Sequence, residues 1–277
     1  DADDIFYTPY AIETMYRGFE PGVIQVQTTF VQEMNGFNLI PQTNINHPWV
    51  FGRMTSVKFL KQNGINFGTL RQMEDGRFQW CIRLLTEGSQ LRIKQVKDIT
   101  YVWKEGSEHS ITRSGMDIND GIPVYNYGLC QIGACRAAKE AIEFALSKNP
   151  FNGNIQKFCV EQMVGLYFNY YECLEKCPKF AEQNWWLAKW FYHNVYEKYC
   201  INIPYEVLDK MYMQMLAVKG SVLSKFPEKT FKQWFELISI GKFELEEIVK
   251  IRNRLPKEIL EVEKRTGTIG DNILELF

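Results

Sequence analysis

The sequence predicts an α+β chain, with a mixed, β-containing N-terminal portion followed by a predominantly α-helical C-terminal half. Three observations carry that expectation. Val23 to Gln32 alternates Val, Ile, Val and Phe with Gln and Thr, the β-branched, period-two pattern of a strand. From Tyr127 to about Lys148, Leu129, Ile132, Ala137, Ala141, Phe144 and Ala145 form an apolar stripe at helical spacing, and Asn149-Pro150 stops it. Beyond that point, helix-length apolar runs are separated by prolines at 178, 204 and 227, residues suited to a first helical turn.

In chain order, residues 1–22 carry Asp1, Asp3 and Asp4, then Phe6, Tyr7, Tyr10, Tyr16 and Phe19, and read as an N-terminal arm that docks by aromatic contacts. Residues 23–126 read as a mixed α/β region with short strands. Within it, Pro41, Pro48, Gly52 and Gly64 leave room only for short elements. Arg77 to Leu85 and Leu91 to Trp103 read as two β-prone segments of a hairpin turned at Glu87-Gly88-Ser89. Residues 127–265 read as a helical region: after the first helix, Asn154 caps a second to Lys176, and Pro178 starts a third to about Tyr199. Pro204 starts a fourth to about Gly220, and shorter helices follow at 228–239, 242–254 and 257–265. Residues 266–277 read as a Gly-containing tail ending in the apolar Ile273-Leu-Glu-Leu-Phe277.

With 277 residues, 45% of them hydrophobic, the chain is long enough to bury a large core. Its 32 basic and 33 acidic residues leave a net charge of −1, so nucleic acid or an acidic membrane would have to be met by a local patch. Seven cysteines, an odd number, and no Asn-x-Ser/Thr acceptor point to a reducing, cytoplasmic compartment. No apolar run reaches the ~18 residues of a membrane span, so a membrane partner is not expected.

Cys173, Cys177, His193 and Cys200 have the residue types of a zinc site. If the chain reverses at Pro178, however, His193 lies roughly 20 Å along the next helix, so no metal or other cofactor is expected there. Only His47, His109 and His193 could serve a nucleophile, and no Gly-x-Ser-x-Gly elbow accompanies them. Carboxylate chemistry is the remaining catalytic option, with Asp117 and Asp120 as candidates and Gly128 and Gly133 as amides for an anion. Asp117 to Gly121 lacks the spacing of a calcium loop and reads as a turn.

The densest feature is aromatic: Tyr167, Phe168, Tyr170 and Tyr171, then Trp185, Trp186, Trp190, Phe191, Tyr192, Tyr196 and Tyr199. Neighbours such as Trp185 and Trp186 point about 100° apart on a helix, so one buried face cannot hold them all. Together with Lys189, Lys198, Arg252 and Arg254, Trp186 and Trp190 compose a candidate groove for single-stranded nucleic acid, in which aromatic faces stack bases and cations track phosphates. The leading expectation is a non-enzymatic, coat-like or nucleoprotein-like subunit that self-associates through its terminal arms. The alternatives are an intracellular enzyme with a carboxylate site in the 105–133 region, including His109, and an adaptor that binds a protein through its Trp185–Trp190 surface.

Overall fold

The computed structural model describes residues 4–34, 38–42, 49–70, 72–104, 116–119, 122–149, 155–163, 165, 173, 177–204, 206–208, 210–211, 226–227 and 251–252. It is an α+β structure, with a mixed sheet in the N-terminal part and helices in the later part. The chain divides into two compact units, Asp1–Gly115 with Ala137–Asn154, and Met116–Arg136 with Ile155–Phe277.

The first unit is built on β2 (Val23–Met34), the strand expected from the alternating pattern. Its long partner is β5 (Arg92–Lys104), and the pairing is parallel. On the other edge of β2, β4 (Arg53–Thr55) and β3 (Asn38–Gln42) pair antiparallel at successive positions, while β1 (Ile5–Phe6) adds an antiparallel edge beyond β5. Parallel strands need a crossover, and α2 (Val57–Asn63) and α3 (Glu74–Thr86) supply it. The expected hairpin of residues 77–103 is therefore corrected: its first arm is α3. Phe, Trp, Cys and Ile give that segment β propensity, yet its buried residues Phe78, Cys81, Ile82 and Leu84 recur at helical spacing, and burial of that face decides the outcome.

Both faces of β2 are covered, which is why it reads as neither a purely amphipathic nor a purely apolar strand. On one face, Val23 and Val26 pack with Met15 of α1 (Ala11–Arg17), bordered by Phe19, Met54 and Val96. A register shift between Val23 and Gln25 accompanies this arrangement. α1 approaches so closely that a Cβ on Gly18 would lie 2.8 Å from a methyl of Val26, so glycine is required there. Gln25 and Gln27 face the opposite way, toward α3.

The N-terminal segment is anchored by polar bonds beside an aromatic contact, Phe6 meeting Tyr101 edge-on at 6.3 Å. Asp4 accepts from the Tyr101 hydroxyl at 2.8 Å and the Lys104 amide at 2.9 Å, while Ala11 and Met15 are the residues α1 buries. Phe6, Tyr7, Tyr10 and Tyr16 stay exposed.

In the second unit, β6 (Met116–Asn119) and β7 (Ile122–Tyr125) form an antiparallel pair leading into α4 (Asn126–Lys148), the helix expected from Tyr127 onward. The later turns of α4, with Ala137, Ala141 and Ala145 buried, belong to the first unit. Residues 155–163 form α5, in the span expected of the second C-terminal helix. The expected third helix is segmented into α6 (Pro178–Gln183), α7 (Trp185–Phe191) and a π-helix (Tyr192–Cys200). Asn184, 2% exposed, makes the break: its side-chain amide donates to the Phe180 carbonyl at 2.8 Å and its oxygen accepts from Arg136 at 2.6 Å. β8 (Phe226–Pro227) and β9 (Ile251–Arg252) pair antiparallel. The 266–277 tail lies outside the described residues.

Candidate active site

The face of β2 that meets α3 is polar. Gln25 Nε2 donates to Thr55 Oγ1 at 2.8 Å and to Gln79 Oε1 at 3.2 Å, and Gln25 Oε1 accepts from Gln27 Nε2 at 2.7 Å. Gln95 on β5 donates to Gln27, and Arg53 on β4 donates to Gln79 Oε1 at 2.6 Å. Gln25, Gln27 and Gln79 are each buried, so these bonds replace the water that the amides lose on folding. The network ties two parallel strands, an antiparallel edge strand and a helix to one another through side chains alone.

At the rim of this network stands Asp75, in the first turn of α3. Burial raises its carboxyl from the ordinary carboxylate range to about 6, with Glu74 adding to the rise, while a hydrogen bond from the Val50 amide and the nearby Arg53 guanidinium oppose it. Arg53 is itself lowered to about 10 by burial, against the pull of Asp75, and stays charged at neutral pH. An acidic side chain at the start of a helix is also favoured by the helix dipole.

Val50, whose amide holds Asp75, lies between Trp49 and Phe51, and both belong to an aromatic slab. Trp49 stacks on Trp103 at 6.1 Å, Phe51 stacks on Tyr101 at 5.5 Å and on Trp103 at 5.7 Å, and Phe30 meets Phe51 edge-on at 5.5 Å. The slab flanks the loop residue whose amide bonds the carboxylate. The helix start is unusual as well: Met73, which precedes α3, sits at φ 67°, the left-handed region that a non-glycine residue adopts only under constraint, and its side chain makes no cap bond. Strain beside a desolvated carboxylate is the combination in which functional groups concentrate.

The residues expected to bind nucleic acid distribute differently. Trp186 is 46% exposed, while Lys189 and Trp190, three and four positions on along α7, are half-buried, and Trp190 meets Phe191 edge-on at 5.1 Å. Lys198 is exposed on the π-helix and donates to Asn194 at 2.9 Å. Arg252 belongs to β9, where its backbone pairs with Phe226, and Arg254 lies outside the described residues. The structure thus brings Trp186, Lys189 and Trp190 onto one stretch of helix. Trp185, Phe191 and Tyr196 are core.

Of the residues expected for an enzyme site, Asp117 lies on β6 opposite Val124, and His109 and Asp120 lie outside the described residues. Gly128 is in the first turn of α4, but Gly133 is buried in the second, past the amides that a helix leaves open. The pair is therefore not a continuous anion cradle. Asp75 and Arg53 were not singled out in the sequence. The available hint was the glutamine at alternate positions of a buried-reading strand, which calls for a polar partner across the layer.

The cysteines are free thiols, and burial pushes Cys81 up to about 11 and Cys200 to about 12, and raises Cys159 and Cys173 as well. Among the described residues, no group of three or more His, Cys, Asp or Glu side chains is arranged to hold a metal ion, and no helix is long and apolar enough to cross a membrane. No family model, no curated protein and no solved structure matches the chain.

Proposed function

We propose that the chain is an enzyme in which the Asp75 carboxylate acts as a general base. The observation that supports the reading is the setting of Asp75: a half-buried carboxyl at a helix start, held by the Val50 amide, beside the charged Arg53, with its proton affinity shifted toward neutrality. A carboxylate of ordinary acidity is too weak a base for an oxygen nucleophile, and one raised to about 6 is both free of its proton at pH 7 and more basic. The reaction class is group transfer or hydrolysis, in which a hydroxyl or water gives its proton to Asp75 as its oxygen attacks. Arg53 keeps the ionised form populated, and the glutamine network holds Arg53. It differs from the carboxylate enzyme expected as an alternative from the sequence, whose site is the 105–133 region with Asp117, Asp120 or His109, in placing the base in α3. The free thiols accord with a cytoplasmic setting.

Carbon-detected titration of the labelled side chain tests the reading. Asp75 is expected to titrate near pH 6, and Arg53→Gln is expected to move it higher, because the opposing positive charge is gone. Titration in the ordinary carboxylate range would remove the base.

A second reading, a self-assembling subunit that binds single-stranded nucleic acid, rests on different observations: Trp186 is exposed beside Lys189, and Phe6, Tyr7, Tyr10 and Tyr16 leave an aromatic surface uncovered by the rest of the described chain. Particle size by sedimentation, with the absorbance ratio at 260 and 280 nm, separates the two. Large particles carrying nucleic acid would favour assembly over catalysis.

A further inference from the structure

Gln72 stands three residues before Asp75, immediately ahead of the strained Met73, and is only 7% exposed. Both polar atoms of its side chain, Nε2 and Oε1, are buried without a hydrogen-bond partner. The other buried glutamines differ: Gln25 and Gln27 are bonded to one another and to their surroundings, and Gln79 leaves only its Nε2 unmatched. A buried carboxamide with neither donor nor acceptor satisfied is costly, and folded chains retain such a group chiefly where something other than the chain completes it. The adjacent backbone carries its own cost at φ 67°, so two unfavourable features coincide at one helix start, beside a carboxyl already set apart by its desolvation.

We infer that Gln72 is a positioning residue for the ligand of the Asp75 site, and that it takes a group able both to accept from Nε2 and to donate to Oε1. A hydroxyl or a primary amide meets that demand. A bare acceptor, such as a sulfoxide oxygen, satisfies half of it. The inference rests on the Asp75 reading, and it adds the chemical class of the group held next to the reacting one: a neutral hydroxyl or amide that keeps its own proton on Gln72 Oε1.

The test uses the full-length, nitrogen-labelled chain and follows the side-chain amide signal of Gln72, assigned by its disappearance in Gln72→Met. Acetamide is the probe that gives and takes a hydrogen bond, and dimethyl sulfoxide is the control that only accepts. A saturable shift with acetamide, half-saturating at a concentration about tenfold below that of dimethyl sulfoxide, is expected. Gln72→Met is expected to melt no lower than the parent, since it removes an unsatisfied group. The inference is overturned by an unsaturable or probe-independent shift, or by a lowered melting temperature in Gln72→Met. Failure of Asp75 to titrate near pH 6, with the acetamide shift intact, would instead remove the general-base reading and leave the Gln72 subsite standing.

Discussion

The interiors of the two units are made of different matter. Among the described residues, eight polar side chains are buried, and all but Asn184 belong to the sheet unit. The helical unit fills its interior with Phe158, Phe180, Leu187, Phe191, Val195 and the thiols of Cys159, Cys173 and Cys200. An apolar core gains stability in proportion to the area it hides and is indifferent to direction. A glutamine and arginine layer gains little net stability, because each bond replaces one to water, but it is strict about geometry. The helical unit is thus organised for cohesion, and the sheet unit spends part of its interior on holding particular groups in particular places.

The sharpest break of this contrast is a truncation in the apolar core. Phe191→Ala is expected to destabilise by about 3–5 kcal/mol, measured by chemical denaturation, because the ring is fully buried and its neighbours can only partly collapse. Next is the polar layer: Gln79→Leu removes the acceptor shared by Gln25 and Arg53 and is expected to cost about 1–3 kcal/mol, much of it from the stranded guanidinium. A cost as large as that of Phe191→Ala would show that the polar layer is as cohesive as the apolar one, and the contrast would fail.

Asp75→Asn should go the other way. The folded-state carboxyl keeps its proton up to about pH 6, while an unfolded one releases it near the ordinary carboxylate value. The ionised side chain therefore opposes folding above that window and is neutral to it below. Allowing for its partial exposure, Asp75→Asn is expected to stabilise by about 1–2 kcal/mol at pH 7, with the gain fading below about pH 4. Equal stability of the two proteins across pH 4–8 would mean that the carboxyl is not set apart by its surroundings. The smallest effect belongs to Trp186→Ala, expected to stay within about 0.5 kcal/mol because the ring is half exposed, so that any loss of single-strand binding would report on contact and not on folding.

How far the sequence announced this structure depends on the kind of signal. β2 and α4 were legible because β2 is a run of β-branched and aromatic residues interleaved with Gln and Thr, and α4 carries a long apolar stripe at helical spacing. α3 was not, because Phe78, Trp80, Cys81 and Ile82 carry β propensity and the helical spacing of its buried residues competes with it. Burial of that spacing settled the matter. The aromatic helices were legible as an excess beyond one buried face, and Trp186 is the member left outside. Asp75 was silent, since Glu74-Asp75-Gly76 is ordinary helix-start chemistry. What distinguishes it comes from Val50 and Arg53, more than twenty residues away in the chain, and no local pattern encodes that.

The parallel pairing of β2 with β5 also imposes an order on synthesis. A strand paired in a hairpin finds its partner within a few residues of leaving the ribosome, but β2 must wait for residues 35–91 to emerge before the first bond to β5 can form. During that interval Val23, Ile24, Val26, Phe30 and Val31, all buried in the finished chain, have no long partner, and β3 and β4 can cover only one edge. The nascent chain therefore presents an apolar ribbon for several seconds at ordinary elongation rates of about 5–20 residues per second. Its successful folding depends on what shields that ribbon, and the mixed Gln and Thr positions along it make it a poorer template for self-pairing than an unbroken run of valines would be.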